Sequence, residues 1–124
     1  MSKSLSIYIL AAAFLALQSS HDAYAADTAS GKATVYSDSF AGKKTATGTK
    51  FRQSAPTAAS NKLPLGSKVR VKNVKNGKTS TVTITDRTSK HSNAAVDLSR
   101  STANKLGIKG TAPVTAKVVA KPNH

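Results

Sequence analysis

Two runs of alternating apolar and polar residues between positions 63 and 87 form the clearest pattern in the chain. Valines alternate with cationic side chains in the first run, and a valine and an isoleucine alternate with threonines in the second. Alternation of period two is typical of a strand with one buried face. Asn76-Gly77 lies between the runs, and this pair favours the positive φ angles of a type I′ turn. The pattern therefore predicts a β-hairpin that ends on Asp86.

Weaker patterns predict the remaining elements. In chain order these are a strand over 31–37, a surface loop over 38–48 anchored by Phe40, a segment at 56–60 that is either a strand or one helical turn, the hairpin, a buried crossing at 96–99, a short helix, and a closing strand over 114–120. Ser99 is placed to cap the helix and Gly107 to end it. A small sheet avoids exposed edges by closing on itself, so a compact β-barrel is favoured over a sandwich.

The first 25 residues have the pattern of a secretory signal peptide. Lys3 precedes an apolar run over 7–17, and Ala23-Tyr24-Ala25 forms a small-x-small cleavage site. The run is shorter than the ~20 apolar residues that cross a bilayer. The chain has no cysteine, so neither a lipidated cysteine nor a disulfide is available. We expect a signal peptide over 1–25, a flexible leader over 26–30, one domain over 31–120 and a frayed end over 121–124. The product would be a periplasmic or secreted monomer without a membrane anchor.

The net charge of the chain after residue 25 limits the kinds of partner that we expect it to attract. Without Lys3 and Asp22 the chain keeps 18 of its 19 basic and 4 of its 5 acidic residues, a net charge of +14. Such a surface attracts polyanions, and an exported protein meets anionic envelope polymers first. The cations are scattered singly, without interleaved stacking aromatics, which argues against nucleic acid. The alternative interpretation, that the charged surface serves solubility and has no specific partner, stays open.

Few residues can perform catalysis. Beyond residue 25 there is no glutamate or cysteine, and the two histidines and four aspartates are far apart, so neither a metal nor another cofactor is expected. Asp97 precedes the predicted helix, where a carboxylate stabilises free N–H groups. Asp38 lies in the first loop and is typical of a turn residue. Asp86 ends a strand, where it either faces a ligand or pairs with Arg87.

The chain resembles the RlpA-like family. The resemblance rests on short motifs that follow one another over nearly the whole chain after residue 30: Ala33-Thr34-Val35-Tyr36, Phe40 with Gly42, Thr45-Ala46 with Gly48, Thr57-Ala58-Ala59, Leu63-Pro64-Leu65-Gly66, Val69-x-Val71-x-Asn73, Asn76-Gly77, Asp86-Arg87, Asp97-Leu98-Ser99 and Leu106-Gly107. It implies a mainly β fold, a six-stranded double-psi β-barrel with one or two short helices. It also implies distant similarity to barwin and expansins, and an endolytic lytic transglycosylase that cleaves bare peptidoglycan glycan strands.

Several family positions carry other residues here. The glutamate of the family pattern is Thr49 and its histidine is Ser60, so Asp86 alone remains of the acidic and imidazole groups in the groove. Lytic transglycosylation needs an acid and a base, which one residue can supply only if its pKa is raised. Arg87 and the net charge would instead lower the pKa of Asp86. We therefore expect weak or lost cleavage.

The candidate site follows from the resemblance. Asp86 is the candidate catalytic residue, and the candidate binding residues are Tyr36, Phe40, Thr45, Thr47, Thr49, Ser60, Arg87 and Asp97. Three functions stay open. The first is a protein that engages peptidoglycan glycan strands with little or no cleavage, the second is an active endolytic transglycosylase that uses Asp86, and the third is a cationic polyanion binder or an expansin-like wall loosener.

Overall fold

The computed structural model describes residues 27–122, so the predicted signal peptide and the last two residues lie outside the described part. The described chain contains one α-helix, α1 (Arg100–Leu106), and a three-residue 3-10 helix, Asp38–Phe40. Its six strands are β1 (Thr28–Val35), β2 (Thr57–Ala59), β3 (Lys68–Asn73), β4 (Thr79–Asp86), β5 (Val96–Leu98) and β6 (Ala112–Ala120).

The strands close into a barrel in the order β1-β5-β2-β4-β3-β6. The β1–β5 and β2–β4 pairs are parallel, and the other four pairs are antiparallel. Every strand therefore has two neighbours, and the sheet has no free edge. This architecture confirms the predicted mainly β fold with six strands and one short α-helix.

Alternating side chains fill the barrel. In β3 every second residue is buried, and Val69 and Val71 point inward with no exposed area. β4 contributes Val82 and Ile84 to the same core, so the alternation in the sequence identified its buried face correctly. Leu106 of α1 belongs to the same buried cluster.

The ends of α1 agree only in part with the prediction. Gly107 ends the helix at φ 72°, and its N–H and that of Ile108 donate to carbonyls of the last turn. Ser99 does occupy the position before the helix, but its hydroxyl donates to the Ala55 carbonyl. The free N–H of Arg100 is instead bonded to the side-chain oxygen of Gln53 at 2.7 Å. The cap is therefore supplied from a residue distant in sequence.

Strand limits differ from the prediction: β1 ends at Val35 rather than at 37, and β6 begins at Ala112 rather than at 114. β1 begins at Thr28, because residues 28–30 pair with residues 115–117 of β6, so the strand includes three residues of the predicted leader. The undecided segment at 56–60 is a strand, β2, which lies between β4 and β5. A partner on each side stabilises this short strand, although its own sequence pattern is weak.

The hairpin forms, but its turn is not the predicted two-residue type I′. The Asn73 N–H donates to the Lys78 carbonyl and the Gly77 N–H to the Asn73 carbonyl, which leaves four residues in the connection. Gly77 has φ 75°, the position that such a loop reserves for glycine. The Asn76 side chain donates to the Leu106 carbonyl at 3.0 Å. The longer turn thus connects the hairpin to the end of α1.

Candidate functional site

Two aspartates lie on either side of one alanine in the sheet. Ala59 of β2 is the register partner of Asp86 on β4 and of Asp97 on β5, and Thr34 of β1 pairs with Asp97. The register between β2 and β4 shifts between Ala58 and Ala59, as at a β-bulge, and this shift places Asp86 opposite Ala59. Since neighbouring strands lie about 4.8 Å apart, the two aspartate Cα atoms are about 10 Å apart. The pairing of β2 with both β4 and β5 therefore brings the end of the hairpin next to the crossing segment.

Asp86 accepts hydrogen bonds from three different parts of the chain. The Tyr36 hydroxyl donates to its Oδ2 at 3.2 Å. The backbone N–H groups of Ala46 and Arg87 donate to its Oδ1 at 3.1 and 2.9 Å. The carboxylate is therefore held in one orientation at the end of β4, as a predicted ligand-facing residue requires.

Tyr36 connects this carboxylate to an aromatic cluster. Its ring stacks on Phe51 with centroids 4.0 Å apart and meets the edge of Phe40 at 5.6 Å. Burial raises the pKa of the Tyr36 hydroxyl, and the nearby charge of Asp86 raises it further. The hydroxyl therefore stays protonated and acts as a donor toward Asp86. The Tyr36 ring is almost fully buried, whereas 46% of Phe40 is exposed. The Lys43 ammonium lies over the Phe40 ring, 5.6 Å from its centroid.

Asp97 has a different environment from the one predicted. It lies within β5 and accepts a hydrogen bond from the Thr34 hydroxyl at 2.8 Å, whereas the helix N–H groups are served by Gln53. The predicted helix-stabilising role is therefore wrong. Burial raises the pKa of Asp97, and the Thr34 hydroxyl opposes that shift in part.

Arg87 does not pair with Asp86. Its Nη1 donates to the carbonyls of Ser60 and Leu63 at 2.8 and 2.5 Å. Within residues 27–122 the ion pair found is that of Arg100 with Asp38, at 3.0 Å. The alternative interpretation of Asp86 as an ion-pair partner of its neighbour is therefore wrong, and Arg87 instead fixes the loop after β2.

These residues border a cleft of about 450 Å³. It is lined by Tyr36, Phe40, Asp86, Arg87, Thr88, Ser89, Ser92 and Asp97. Five of these side chains were predicted to bind or to catalyse. The three hydroxyl residues after Arg87 were not, because the polar loop that carries them has no periodic pattern that points to one face. Asn61 holds this loop through bonds with the Thr88 N–H and the Ser89 carbonyl.

Comparison with known proteins gives the family. The Lytic transglycolase family, a double-psi β-barrel domain, matches residues 28–116. The endolytic peptidoglycan transglycosylase RlpA of Neisseria meningitidis is 44% identical over 89 residues, which are 70% of this chain and 37% of that protein. The chain belongs to the RlpA-like double-psi β-barrel family. The predicted resemblance is thus confirmed, and the barrel is the double-psi barrel that it implied.

Other RlpA-like and barrel proteins match at different lengths. A probable endolytic peptidoglycan transglycosylase RlpA of Nostoc is 43% identical over 68% of this chain and 23% of its own length. The chain therefore spans well under half of these named relatives. An uncharacterized protein of Synechocystis is 40% identical over 67% of this chain and 90% of its own length. The Streptomyces papain inhibitor superposes with a TM-score of 0.58 at 26% identity, over 77% of this chain and 97% of that one.

The two altered family positions have separate environments. Ser60 is fully buried, and its hydroxyl donates to the Ala95 carbonyl while accepting from the N–H groups of Lys62 and Leu63. Ser60, a predicted binding residue, therefore lies outside the cleft lining. The hydroxyl is needed where it lies, because it satisfies three backbone groups in the loop after β2.

Thr49 belongs to a cluster of hydroxyls formed with Thr45 and Thr47. The three oxygen atoms lie 3.0–3.3 Å from one another, and the Thr45 hydroxyl also donates to the Thr49 carbonyl at 2.8 Å. This loop reaches Asp86 through the Ala46 N–H, but the three threonines lie outside the cleft lining. Thr45 is buried, so only the exposed Thr47 and Thr49 are accessible to a ligand.

The described residues contain neither a candidate metal site nor a helix that could span a membrane. Over residues 27–122, no group of three or more histidine and acidic side chains is placed to hold a metal ion. The helix in that range is too short and too polar to cross a membrane.

Proposed function

We propose that the cleft beside Ala59 binds glycan strands of peptidoglycan, and that this chain cleaves them weakly or not at all. The observation that carries the proposal is the register row of Asp97, Ala59 and Asp86, which supplies two carboxylates to one cleft. The names of the RlpA relatives support peptidoglycan as the polymer. The RlpA relatives are longer than this chain, which covers 37% and 23% of two of them. The activity of these whole proteins is therefore not assigned to this chain.

The cleft residues fit the chemistry of a sugar chain. Carboxylates accept hydrogen bonds from sugar hydroxyls, and such charge-assisted bonds are stronger than neutral ones. Asp86 and Asp97 would therefore orient a sugar, and the exposed ring of Phe40 would pack on its apolar face. Thr88, Ser89 and Ser92 add hydroxyls that both donate and accept. Thr47 and Thr49 would contact a strand that extends past the cleft.

Weak or lost cleavage follows from the altered positions. Transglycosylation requires a proton donor for the leaving oxygen and a base for the attacking sugar hydroxyl. Thr49 and Ser60 replace the family's glutamate and histidine, and neither side chain titrates near neutral pH. Ser60 is also buried away from the cleft. Asp86 is thus left without the partners that the family pattern supplies.

One observation favours an active endolytic transglycosylase instead. Asp97 shares the cleft with Asp86, and burial raises its pKa, so it keeps a proton to higher pH than an exposed carboxyl does. In that case Asp97 would be the proton donor and Asp86 the base of an acid–base pair. Incubation of the purified protein with denuded glycan strands separates the two functions. Few or no 1,6-anhydro products support binding alone, whereas turnover that is lost in Asp86→Asn establishes the enzyme.

The proposal includes a location in the periplasm or outside the cell and a monomeric protein without a membrane anchor. It depends on removal of the predicted signal peptide over residues 1–25. Protein recovered from the envelope fraction should begin near residue 26. A full-length chain in the cytoplasm would contradict this location.

A further inference from the structure

The outer surface of β3 and β6 is separate from the cleft. In the ring β1-β5-β2-β4-β3-β6, β5 with Asp97 lies opposite β3, and β2 with Ala59 lies opposite β6, whereas β4 with Asp86 is next to β3. No residue of β3 or β6 lines the cleft. A partner of the outer surface of these two strands therefore contacts other residues than a ligand of the cleft does.

This surface presents a continuous set of cations, here called the basic face. Lys68, Arg70 and Lys72 alternate with buried residues along β3, so all three side chains point outward. Arg70 is the register partner of Lys117 on β6. Five threonines on the neighbouring strands are register partners of these cations, namely Thr79, Thr81 and Thr83 on β4, Thr115 on β6 and Thr28 on β1.

The basic face has an arrangement that does not favour folding. Like charges placed directly opposite each other on neighbouring strands are destabilising, and Arg70 faces Lys117 with Lys68 and Lys72 beside it. Of the four aspartates in residues 27–122, three lie elsewhere, and only Asp27 is near one end of the face, beside Lys117. A chain that departs from a local rule of stability often does so at a functional surface.

We propose that the basic face docks the protein onto a membrane surface of anionic phospholipid headgroups. Three cations follow one another along β3 with Cα atoms about 6.8 Å apart, and the Cα atom of Lys117 lies about 4.8 Å from that of Arg70 on the neighbouring strand. The four charges therefore form a patch, which suits a layer of phosphates. Lysine, arginine and threonine side chains all donate hydrogen bonds to phosphate. Val119 is 46% exposed at the end of the face and adds apolar area at the interface.

A single-stranded nucleic acid fits the basic face less well. Sequence-tolerant binders of single strands stack bases on aromatic side chains along a basic groove. The aromatic residues of the described chain, Tyr36, Phe40 and Phe51, cluster at the cleft and not on β3 or β6. The basic face offers charge and hydroxyls, without a stacking platform.

Docking in this way would leave the residues that line the cleft free to contact a cell-wall polymer. The docking proposal does not rest on glycan binding, because it uses residues of β3 and β6 that do not line the cleft.

The test is sedimentation of the purified protein, without its first 25 residues, with vesicles. One set of vesicles is phosphatidylcholine alone, and the other is an equimolar mixture with phosphatidylglycerol. We expect binding to the anionic vesicles only, with steep weakening as salt shortens the Debye length to about 8 Å at 0.15 M. The triple variant Arg70→Gln, Lys72→Gln and Lys117→Gln should bind about 100-fold more weakly, because each cation near an anionic surface contributes roughly fivefold.

The matched control removes the same number of charges from outside the basic face. Lys62, Lys105 and Lys109 are exposed and lie in the loop after β2, in α1 and in the loop after α1. Their triple change to glutamine should weaken vesicle binding by no more than a few-fold. Equal weakening in both variants would assign binding to net charge alone and overturn the proposal, as would no vesicle binding by the unmodified protein. Binding to single-stranded DNA through Arg70, Lys72 and Lys117 with no vesicle binding would also overturn it.

A second readout checks the premise about like charges. If Arg70 and Lys117 repel each other, the triple variant of Arg70, Lys72 and Lys117 should have an equal or higher melting temperature than the unmodified protein at low salt. A large fall in its melting temperature would show that these cations serve the fold, and the docking proposal would lose its basis.

Discussion

The Tyr36 hydroxyl donates a hydrogen bond to Asp86 across 3.2 Å, and this bond joins the chain just after β1 to the end of β4. The two residues are 50 positions apart in sequence. Tyr36 is buried against Phe51, so its hydroxyl is a fixed donor. The carboxylate that we assign to ligand binding is thus oriented by the aromatic cluster.

Replacement of Tyr36 by Phe should weaken this arrangement without disturbing the ring stack. The lost hydrogen bond should lower the free energy of unfolding by about 1 kcal/mol. Affinity for glycan strands should fall about fivefold, because a free Asp86 carboxylate no longer holds one orientation. Urea unfolding and calorimetric titration measure the two effects. Unchanged glycan affinity would show that Tyr36 does not position the carboxylate.

Gln53 joins α1 to the cleft. Its side-chain oxygen accepts from the Arg100 N–H, and its amide donates to the Tyr36 carbonyl at 2.9 Å. Gln53→Ala should lower the free energy of unfolding by about 1–2 kcal/mol, the usual cost of a lost helix cap. The exposed neighbour Arg52 provides the control, and Arg52→Ala should be nearly neutral. Equal losses in the two variants would mean that the cap contributes little.

Asp97 should make stability depend on pH. Burial raises its pKa above the ordinary value of 3.8, so the folded chain holds this proton to higher pH than the unfolded chain does. The free energy of unfolding therefore falls as pH rises from that value through the folded pKa. Asp97→Asn removes this loss, so the variant should match the unmodified protein near about pH 3 and be more stable near about pH 7. Thermal unfolding at both values measures the difference, and equal melting temperatures at about pH 7 would contradict the assignment.

Ser60 should matter for stability and not for ligand binding. Ser60→Ala removes a buried hydroxyl that serves the Ala95 carbonyl and two backbone N–H groups. Loss of such a partner costs about 1–3 kcal/mol for each buried group left unpaired. Denaturant unfolding should show a loss in this range or above it, while the folded fraction binds glycan normally. A fall in affinity without a loss of stability would return Ser60 to the binding site.

The sequence predicted those parts of the fold in which neighbouring residues determine the structure. The alternation in β3 and β4, and the glycine that ends α1, depend on residues close in sequence. The hairpin turn and the helix cap did not follow the local pattern, because Asn76 and Gln53 bond to backbone groups 30 and 47 positions away. The start of β1 was missed because pairing with β6 decides it.

The candidate site likewise combines a residue that the local sequence pattern identified with residues whose environment depends on long-range pairing. Asp86 was identified because it ends a strand with a strong pattern. The environment of Asp97 depends on register with Ala59 and Thr34, which the sequence does not specify by spacing. Ser60 was placed in the groove because its family position suggested it, whereas its burial follows from the loop that closes over the Ala95 carbonyl. Long-range pairing, rather than residue type, decided which predicted residues meet.

The most direct test of the proposed function is the affinity of the purified protein for peptidoglycan glycan strands, measured by calorimetric titration with Asp86→Asn beside it. Asp27→Asn is the matched control, because it removes one negative charge from a residue that does not line the cleft. We expect Asp86→Asn to weaken binding by about tenfold or more, the scale of one charge-assisted hydrogen bond, and the control to bind as the unmodified protein does. Equal affinities of all three proteins would contradict the assignment of the cleft.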